Sequence, residues 1–525
     1  MNENDFVDKQ GLSDCEEGQR TSSRIVWSLR ALGLIMALVV WVLLGLAEDL
    51  GSDARAVAAI ATLMAIWWMT EAVPLPATSL LPIVLLPAFT GTTVSSATAP
   101  YASSLVFLFV GGFLIAIAME KWNLHRRIAL LVLDRVGVSP KRIVLGMMIA
   151  TGFLSMWVSN TATILMMLPI GLSVLALVVE RSAGNQSATD MHEGLKQGTI
   201  SDVVDDPNVK MFGVCLILAI AWSASMGGLG TLLGSPPNAI VAGYAADELG
   251  HQIGFLEWMM LGVPLAATFI AIGWWLMVSV LYRFKLDSIP GGQDMIRGQI
   301  AQLGPMSQGE KMVAGVFCGA AFLWIVPGLL AGIPALAFLD VLDDTAIAVA
   351  AGIALFLLPG RGRGEMVMNW SDAEKGLPWG VLLLFGGGLS LASSVASSGL
   401  DDWFGAQVGG LGTLPTIVLI GVIVLIVLFL SEITSNTATA ATFIPILGGV
   451  AVGIGVAPLS LLIPAAFAAT CAFMLPVGTP PNAIVFATGN VTIGQMIRGG
   501  VVLNVVGVVL ITGIFYLLGG LVLGL

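Results

Sequence analysis

A chain of 525 residues that is 57% apolar and only 10% charged, with a mean hydropathy of +0.94, is not a soluble globular protein, which is usually about a quarter charged. Its apolar residues come in continuous runs long enough to cross a bilayer as helices, not in the short alternating strands of a transmembrane barrel. The formal charge of −11 lies in short loops and an acidic amino-terminal tail, so it marks no nucleic-acid surface.

In chain order, a polar tail (1–30) carries Lys9, Arg20, Arg24 and Arg30. The first apolar run, 31–47, lacks the short core and small-residue cleavage pattern of a signal peptide, and it reads as the first transmembrane helix. Spans at 55–70, 74–90 and 103–119 follow, then a basic segment, 121–142. Segment 143–179 is apolar but interrupted by Ser159-Asn160-Thr161. After a polar loop, 181–210, the run 211–246 is broken by Pro236-Pro237, and a span at 257–282 closes the first half, 31–282. A linker, 283–311, leads to the second half, 312–525. This half has spans at 312–337, 345–359 and 379–395, then 416–454 interrupted at Ser435-Asn436-Thr437. The run 461–490 is broken at Pro480-Pro481, and the last span is 499–522. The four cysteines (Cys15, Cys215, Cys318, Cys471) have no metal-ligand spacing. His125, His192 and His251 form no motif and read as loop or interface residues.

The halves repeat one another. FLSMWVSNTATILMMLPI from Phe153 and FLSEITSNTATAATFIPI from Phe429 share ten of eighteen residues at an offset of 276, which also aligns Gly111-Gly112 with Gly387-Gly388. At an offset of 244, GSPPNAIV from Gly234 matches GTPPNAIV from Gly478. Segment 121–142 carries Lys121, Arg126, Arg127, Arg135, Lys141 and Arg142, whereas its counterpart 397–418 has only Asp401 and Asp402. The positive-inside rule places the first in the cytoplasm and the second outside, so the repeats are inverted. The other basic loops, 283–311 and 361–376, agree if 143–179 and 416–454 are re-entrant hairpins. The expected fold is an all-α polytopic membrane protein with inverted repeats, two re-entrant hairpins, two broken helices and about eleven transmembrane helices. Its amino terminus is cytoplasmic and its carboxyl terminus outside.

Polar triplets at membrane depth cost several kcal/mol unless satisfied. At a hairpin tip the chain also leaves the helix and frees its N–H and C=O groups. Hydroxyls, amide oxygens and bare carbonyls suit sodium, while helix amino termini suit a carboxylate. The Pro-Pro pairs stop a helix and leave carbonyls unpaired near Gly234 and Gly478. Alone, each motif reads as a kink or a self-bonded serine; repeated in both halves, they describe a discontinuous-helix site. No Lys or Arg lies within 153–170, 226–243, 429–446 or 474–490. A bound dianion therefore needs cations for charge compensation. Glu432, whose counterpart is Met156, reads as support for hairpin packing more than as a sodium donor.

With SMWVSNTATILMMLPI, GTLLGSPPNAIV, SEITSNTATAATFIPI and VGTPPNAIVFA in order along nearly the whole chain, the sequence resembles the divalent anion/sodium symporter family, and its bacterial dicarboxylate members in particular. The resemblance implies a homodimer whose scaffold carries an elevator-type transport domain, built around hairpins 143–179 and 416–454 and broken helices 211–246 and 461–490. It implies one sodium site at Ser155, Ser159, Asn160 and Gly234, and another at Ser431, Thr434, Asn436 and Gly478. Substrate carboxylates would meet Ser159, Asn160, Thr161, Ser435, Asn436, Thr437, Thr479 and Pro480, with Ser235 a weaker candidate. The implied function is sodium-driven symport of a C4 dicarboxylate (succinate, malate or fumarate) across a plasma membrane, in a bacterium the inner one. Dicarboxylate exchange, or carriage of citrate or an oxyanion such as sulfate, stays open. No cofactor beyond the coupling sodium ions is expected. An enzyme is not expected either, because the chain has no clustered acid–base residues and no phosphate-binding loop.

Overall fold

In lipid each backbone group must be satisfied within its own segment, and the apolar runs accordingly fold as helices. The computed structural model describes residues 4–47, 49–137, 139–183, 206–286, 292–330, 343–361 and 364–524. Among these, nine helices are long and apolar enough to cross a membrane. The first helix, Asn4–Leu44, starts well before its apolar run. Expected span 345–359 forms the shorter Asp344–Leu357. The end of span 312–337 and most of loop 181–210, with His192, lie outside the described residues.

Each interrupted segment is a helical hairpin. The first joins Pro140–Ser155 to Asn160–Ala183, and the second joins Thr416–Ser431 to Asn436–Gly453. Each broken run is two helices. These are Pro207–Gly227 with Pro236–Glu248, and Leu459–Thr470 with Pro480–Ala487. The leading half of each broken helix packs on both arms of its own hairpin, and its trailing half packs on the return arm of the other hairpin. The two repeats thus interlock crosswise.

The glycine pairs serve close helix approach. A Cβ on Gly111 would lie 2.4 Å from the Ala348 backbone, and one on Gly387 would lie 2.4 Å from the Ser79 carbonyl oxygen. Both halves turn into a short amphipathic arm at a left-handed residue, Asn123 (φ 56°) before Leu124–Val136 and Gly399 (φ 72°) before Leu400–Val408. Symmetry ends there. The first arm packs mainly on the entering arm of its hairpin, and the second packs on the return arm of its own. In the first arm Arg127 is buried, not a free surface cation. It donates to Glu310 at 2.9 Å and to the Gly304 carbonyl at 3.0 Å. His125 is likewise buried, 3.0 Å from the Met119 carbonyl, in the helix Leu124–Val136 and not in a loop.

Candidate functional site

Helix ends build the site. The entering arms finish at Ser155 and Ser431, and the leading broken halves finish at Gly227 and Thr470. A helix carboxyl end presents unpaired carbonyls and partial negative charge. Four helices then begin, at Asn160, Pro236, Asn436 and Pro480. Their free N–H groups and positive dipole ends favour an anion. All four of these amino termini reach one cavity of 1110 Å³. It is lined by Ser159, Asn160, Thr161, Gly234 and Ser235 from the first half, and by Thr434, Ser435, Asn436, Thr437, Gly478, Thr479 and Pro480 from the second. Ser155 and Ser431 lie buried behind that lining.

Side-chain bonds hold each break open. Asn238 Nδ2 donates to the carbonyls of Gly228 and Thr231, both at 2.8 Å. Its repeat partner Asn482 donates to Ala472 and Leu475, both at 3.0 Å. These are the same positions at the offset of 244, so the asparagine after each proline pair is a lock. The sequence shows it as the shared residue of PPN, but not what it binds. Gly234 is required by proximity, since a Cβ there would lie 2.6 Å from the Gly228 oxygen.

Oxygen gathers beside the first tip, and a buried amide oxygen stands unpartnered beside the second. On the first side, one amide atom of Asn160 faces Ser155 Oγ at 2.5 Å, the Ala224 carbonyl at 3.1 Å and the Gly234 carbonyl at 3.3 Å. An amide nitrogen there donates to all three; an amide oxygen there makes a four-oxygen cluster that a small cation satisfies. On the second side Asn436 Nδ2 donates to the Thr470 carbonyl at 3.3 Å, while its Oδ1 is buried with no hydrogen-bond partner. Ser431 Oγ is spent on the Leu428 carbonyl at 2.8 Å, and Thr434 Oγ1 bonds the Leu430 carbonyl at 2.9 Å. Any ion there would draw on the main-chain carbonyls of these two residues. The donor set on both sides is neutral oxygen, which fits sodium.

The remaining candidates divide by what their hydroxyls do. Ser159 Oγ accepts from the Ala162 N–H at 3.3 Å, and Thr479 Oγ1 from the Asn482 N–H at 3.3 Å. Ser235 Oγ is bonded to Thr470 Oγ1 at 3.0 Å inside the protein. Thr161, Ser435 and Thr437, half-buried on the cavity wall, make no side-chain hydrogen bond among the described residues.

Glu432 faces away from the ion-sized clusters. Its Oε1 accepts from the Phe473 N–H (2.7 Å), the Met474 N–H (3.0 Å) and Asn504 Nδ2 (2.6 Å). Its Oε2 accepts from Met474 and Leu475 at 3.0 and 3.1 Å. The carboxylate thereby ties the second hairpin to the second break and to the last helix, Ile493–Leu523. In the first half the equivalent tie is a hydrogen bond from the Thr231 hydroxyl to the Met156 carbonyl. Sequence reasoning missed Asn504, a polar residue in an apolar helix with no repeat partner to flag it.

Comparison with known proteins is consistent along the chain. Residues 25–524 match the sodium:sulfate symporter transmembrane region. A sodium-dependent dicarboxylate transporter, SdcS, of Staphylococcus saprophyticus is 40% identical over 498 residues, covering 94% of this chain and 92% of the relative. SdcS of Staphylococcus aureus is 42% identical over 480 residues, 91% of this chain and 88% of the relative. Two solved transporters share the fold at a TM-score of 0.52. YdaH of Alcanivorax borkumensis is 12% identical, over 90% of this chain and 99% of its own. MtrF of Neisseria gonorrhoeae is 13% identical, over 89% and 95%.

Proposed function

The chain belongs to the sodium:sulfate symporter family, a transporter and not an enzyme, and we propose that it couples sodium influx to uptake of C4 dicarboxylates such as succinate, malate and fumarate. One observation carries this reading. Four helix amino termini reach one cavity, with a four-oxygen cluster beside the first tip, an unpartnered Asn436 Oδ1 beside the second, and no basic residue among the described residues of the lining. The amino termini and the free hydroxyls of Thr161, Ser435 and Thr437 suit two carboxylates. The oxygens of Ser155, Ser159, Asn160 and Gly234, and of Ser431, Thr434, Asn436 and Gly478, some of them main-chain carbonyls, suit sodium. Dianion and cations then compensate one another, which is the physical basis of coupling. The names of the Staphylococcus relatives point the same way.

The moving unit in this reading is the pair of hairpins with both broken helices, carried past a scaffold of the remaining helices in a homodimer. The scaffold wall of the cavity comes from Glu71, Glu120, Gly376 and Pro378, at helix ends next to the basic segments 121–142 and 361–376. With those segments cytoplasmic, the cavity opens inward. Radiolabelled succinate uptake into proteoliposomes tests the function: an inward sodium gradient should drive it with empty vesicles. Uptake that requires internal dicarboxylate and ignores sodium would make the protein an exchanger.

A further inference from the structure

The cavity has two walls of opposite character. The four helix amino termini form one. The other includes the carboxylates of Glu71 and Glu120, both solvent-exposed and the only charged residues among those described in the lining. Neither takes part in an ion pair among the described residues. Of the basic residues nearby, Arg30 donates to the Ala72 carbonyl at 2.8 Å, beside Glu71 but not in the cavity lining, and the lysines are committed or aimed elsewhere. Lys121 donates to Asp372 at 2.7 Å. Burial pushes the Asp372 carboxyl up, but the bonds from Lys121 and the Asn369 N–H outweigh this and hold it below its usual range. Lys375 is exposed on the helix Trp370–Gly376 and does not line the cavity. The backbone does not dictate an acid at Glu71 either. Its φ is 50°, a left-handed conformation that glycine or asparagine adopts more readily.

The inverted repeat supplies an internal control. At the offset of 276 that relates Asn123 to Gly399, Glu120 corresponds to Ala396. Helix Ser52–Thr70 corresponds by its contacts to Asp344–Leu357, because each packs against the glycine-pair helix of the other half. That second helix ends in Leu357 and Leu358, so Glu71 has no acidic counterpart there. A cavity opening to the other face would be lined by these equivalents. At the equivalent positions the second half therefore carries no acid.

We propose that Glu71 and Glu120 form a one-sided electrostatic wall that expels the dianion into the cytoplasm once sodium has left, and so makes the carrier asymmetric. This rests on the proposed function and on the orientation set by the basic loops. The two carboxylates are not an ion-binding site; they act through their field on the site opposite. With sodium bound, the complex of dianion and cations carries less negative charge and the repulsion is weak. When sodium dissociates, the bare dianion faces two negative charges across water. Across such a distance, partly screened by salt, the field changes dianion affinity by about three- to tenfold.

The test compares right-side-out and inside-out membrane vesicles from cells making the wild type, Glu71→Gln, Glu120→Gln or the double variant. Succinate is the probe, at low ionic strength and with added choline chloride. The double variant should lower the half-saturating succinate on the cytoplasmic face by about three- to tenfold at low salt, each single variant contributing part. Choline chloride should shrink the effect, and values on the outer face should not move. Ala396→Glu should raise the half-saturating succinate on the outer face, installing the wall where the repeat lacks it. An unchanged cytoplasmic value in folded variants, or equal shifts on both faces, would overturn the proposal. A wild type with no sodium-dependent succinate uptake from the outer face would instead overturn the proposed function itself.

Discussion

Asn160 and Asn436 stand where each hairpin changes from a carbonyl end to an amide end, so a single side chain borders both an oxygen cluster and the cavity. Removing either amide is expected to weaken sodium and dicarboxylate binding together, since their affinities are reciprocally coupled. Thr437 borders the cavity alone. Thr437→Ala should cost one hydrogen bond to a charged group, about 1.5–3 kcal/mol, or roughly 10- to 150-fold in succinate affinity. Sodium binding without succinate, followed by calorimetry, should barely change. If Thr437→Ala lost sodium binding while Asn160→Ala and Asn436→Ala kept it, the roles would be reversed. Glu432 makes a different prediction. Glu432→Gln puts an amide nitrogen among backbone N–H donors now satisfied by the carboxylate. Each donor left unpaired costs about 1–3 kcal/mol. The variant should melt lower in detergent, and sodium should restore less of the loss than in the wild type, because a Cβ on Gly478 would lie 3.1 Å from the Glu432 carbonyl oxygen. A melting temperature equal to wild type would show that those five bonds do not hold the break.

At the scale of elements, an aromatic cluster joins the first hairpin tip to the helix Gln308–Leu330. Trp157, just before the tip, lies edge-on to Phe317 with ring centroids 4.9 Å apart. It stacks with Phe255 at 5.9 Å and with Trp324 at 6.4 Å, and Phe255 stacks on Trp324 at 4.5 Å. Trp324 Nε1 donates to the Asp344 carbonyl, and Asp344 accepts from the Phe255 N–H at 2.8 Å. This cluster is tied to Asp344 at the start of the helix Asp344–Leu357, and in the proposed cycle it must part for the site to face outward. An aromatic pair is worth about 0.5–1.5 kcal/mol beyond its buried area. Trp324→Ala should therefore shift the balance toward the outward-facing form by roughly 2- to 12-fold for one pair lost. Modification of a cysteine placed at Ser159 by an impermeant thiol reagent added outside, in a background lacking exposed Cys318, reads this directly. A rate equal to that of the parent would remove the cluster from the transport cycle.

At the scale of the whole molecule, the hairpins and breaks were legible because each half must solve the same problem with the same residues. Two motif pairs at two constant offsets identify them, and the crosswise packing of the repeats shows why both copies are needed at one cavity. The arms were not legible. Leu124–Val136 and Leu400–Val408 are short, amphipathic and charged, and by composition they read as loops. Glu71 and Glu120 escaped notice for a related reason: an acid at the end of an apolar helix looks solvated until the opposite wall is known. Arg127 reads as one of six topology-setting cations, whereas the fold buries it against Glu310. That burial alters how the inversion should be tested. A cysteine at position 127 would break the ion pair, so the probe belongs at Arg135, which is exposed on the same arm, with Asp402, exposed on the other arm, as its opposite. The basic count puts Arg135 in the cytoplasm and Asp402 outside, and the arms begin at equivalent left-handed residues of inverted halves. In intact cells an impermeant maleimide should label Asp402→Cys fully and Arg135→Cys only after permeabilisation. Cys318 is replaced in both variants because it is exposed, and Cys15 because it lies in the tail assigned to the cytoplasm. Labelling of both from the same face would undo the inverted repeat, and with it the inward direction of the cavity and the cytoplasmic place of its acidic wall.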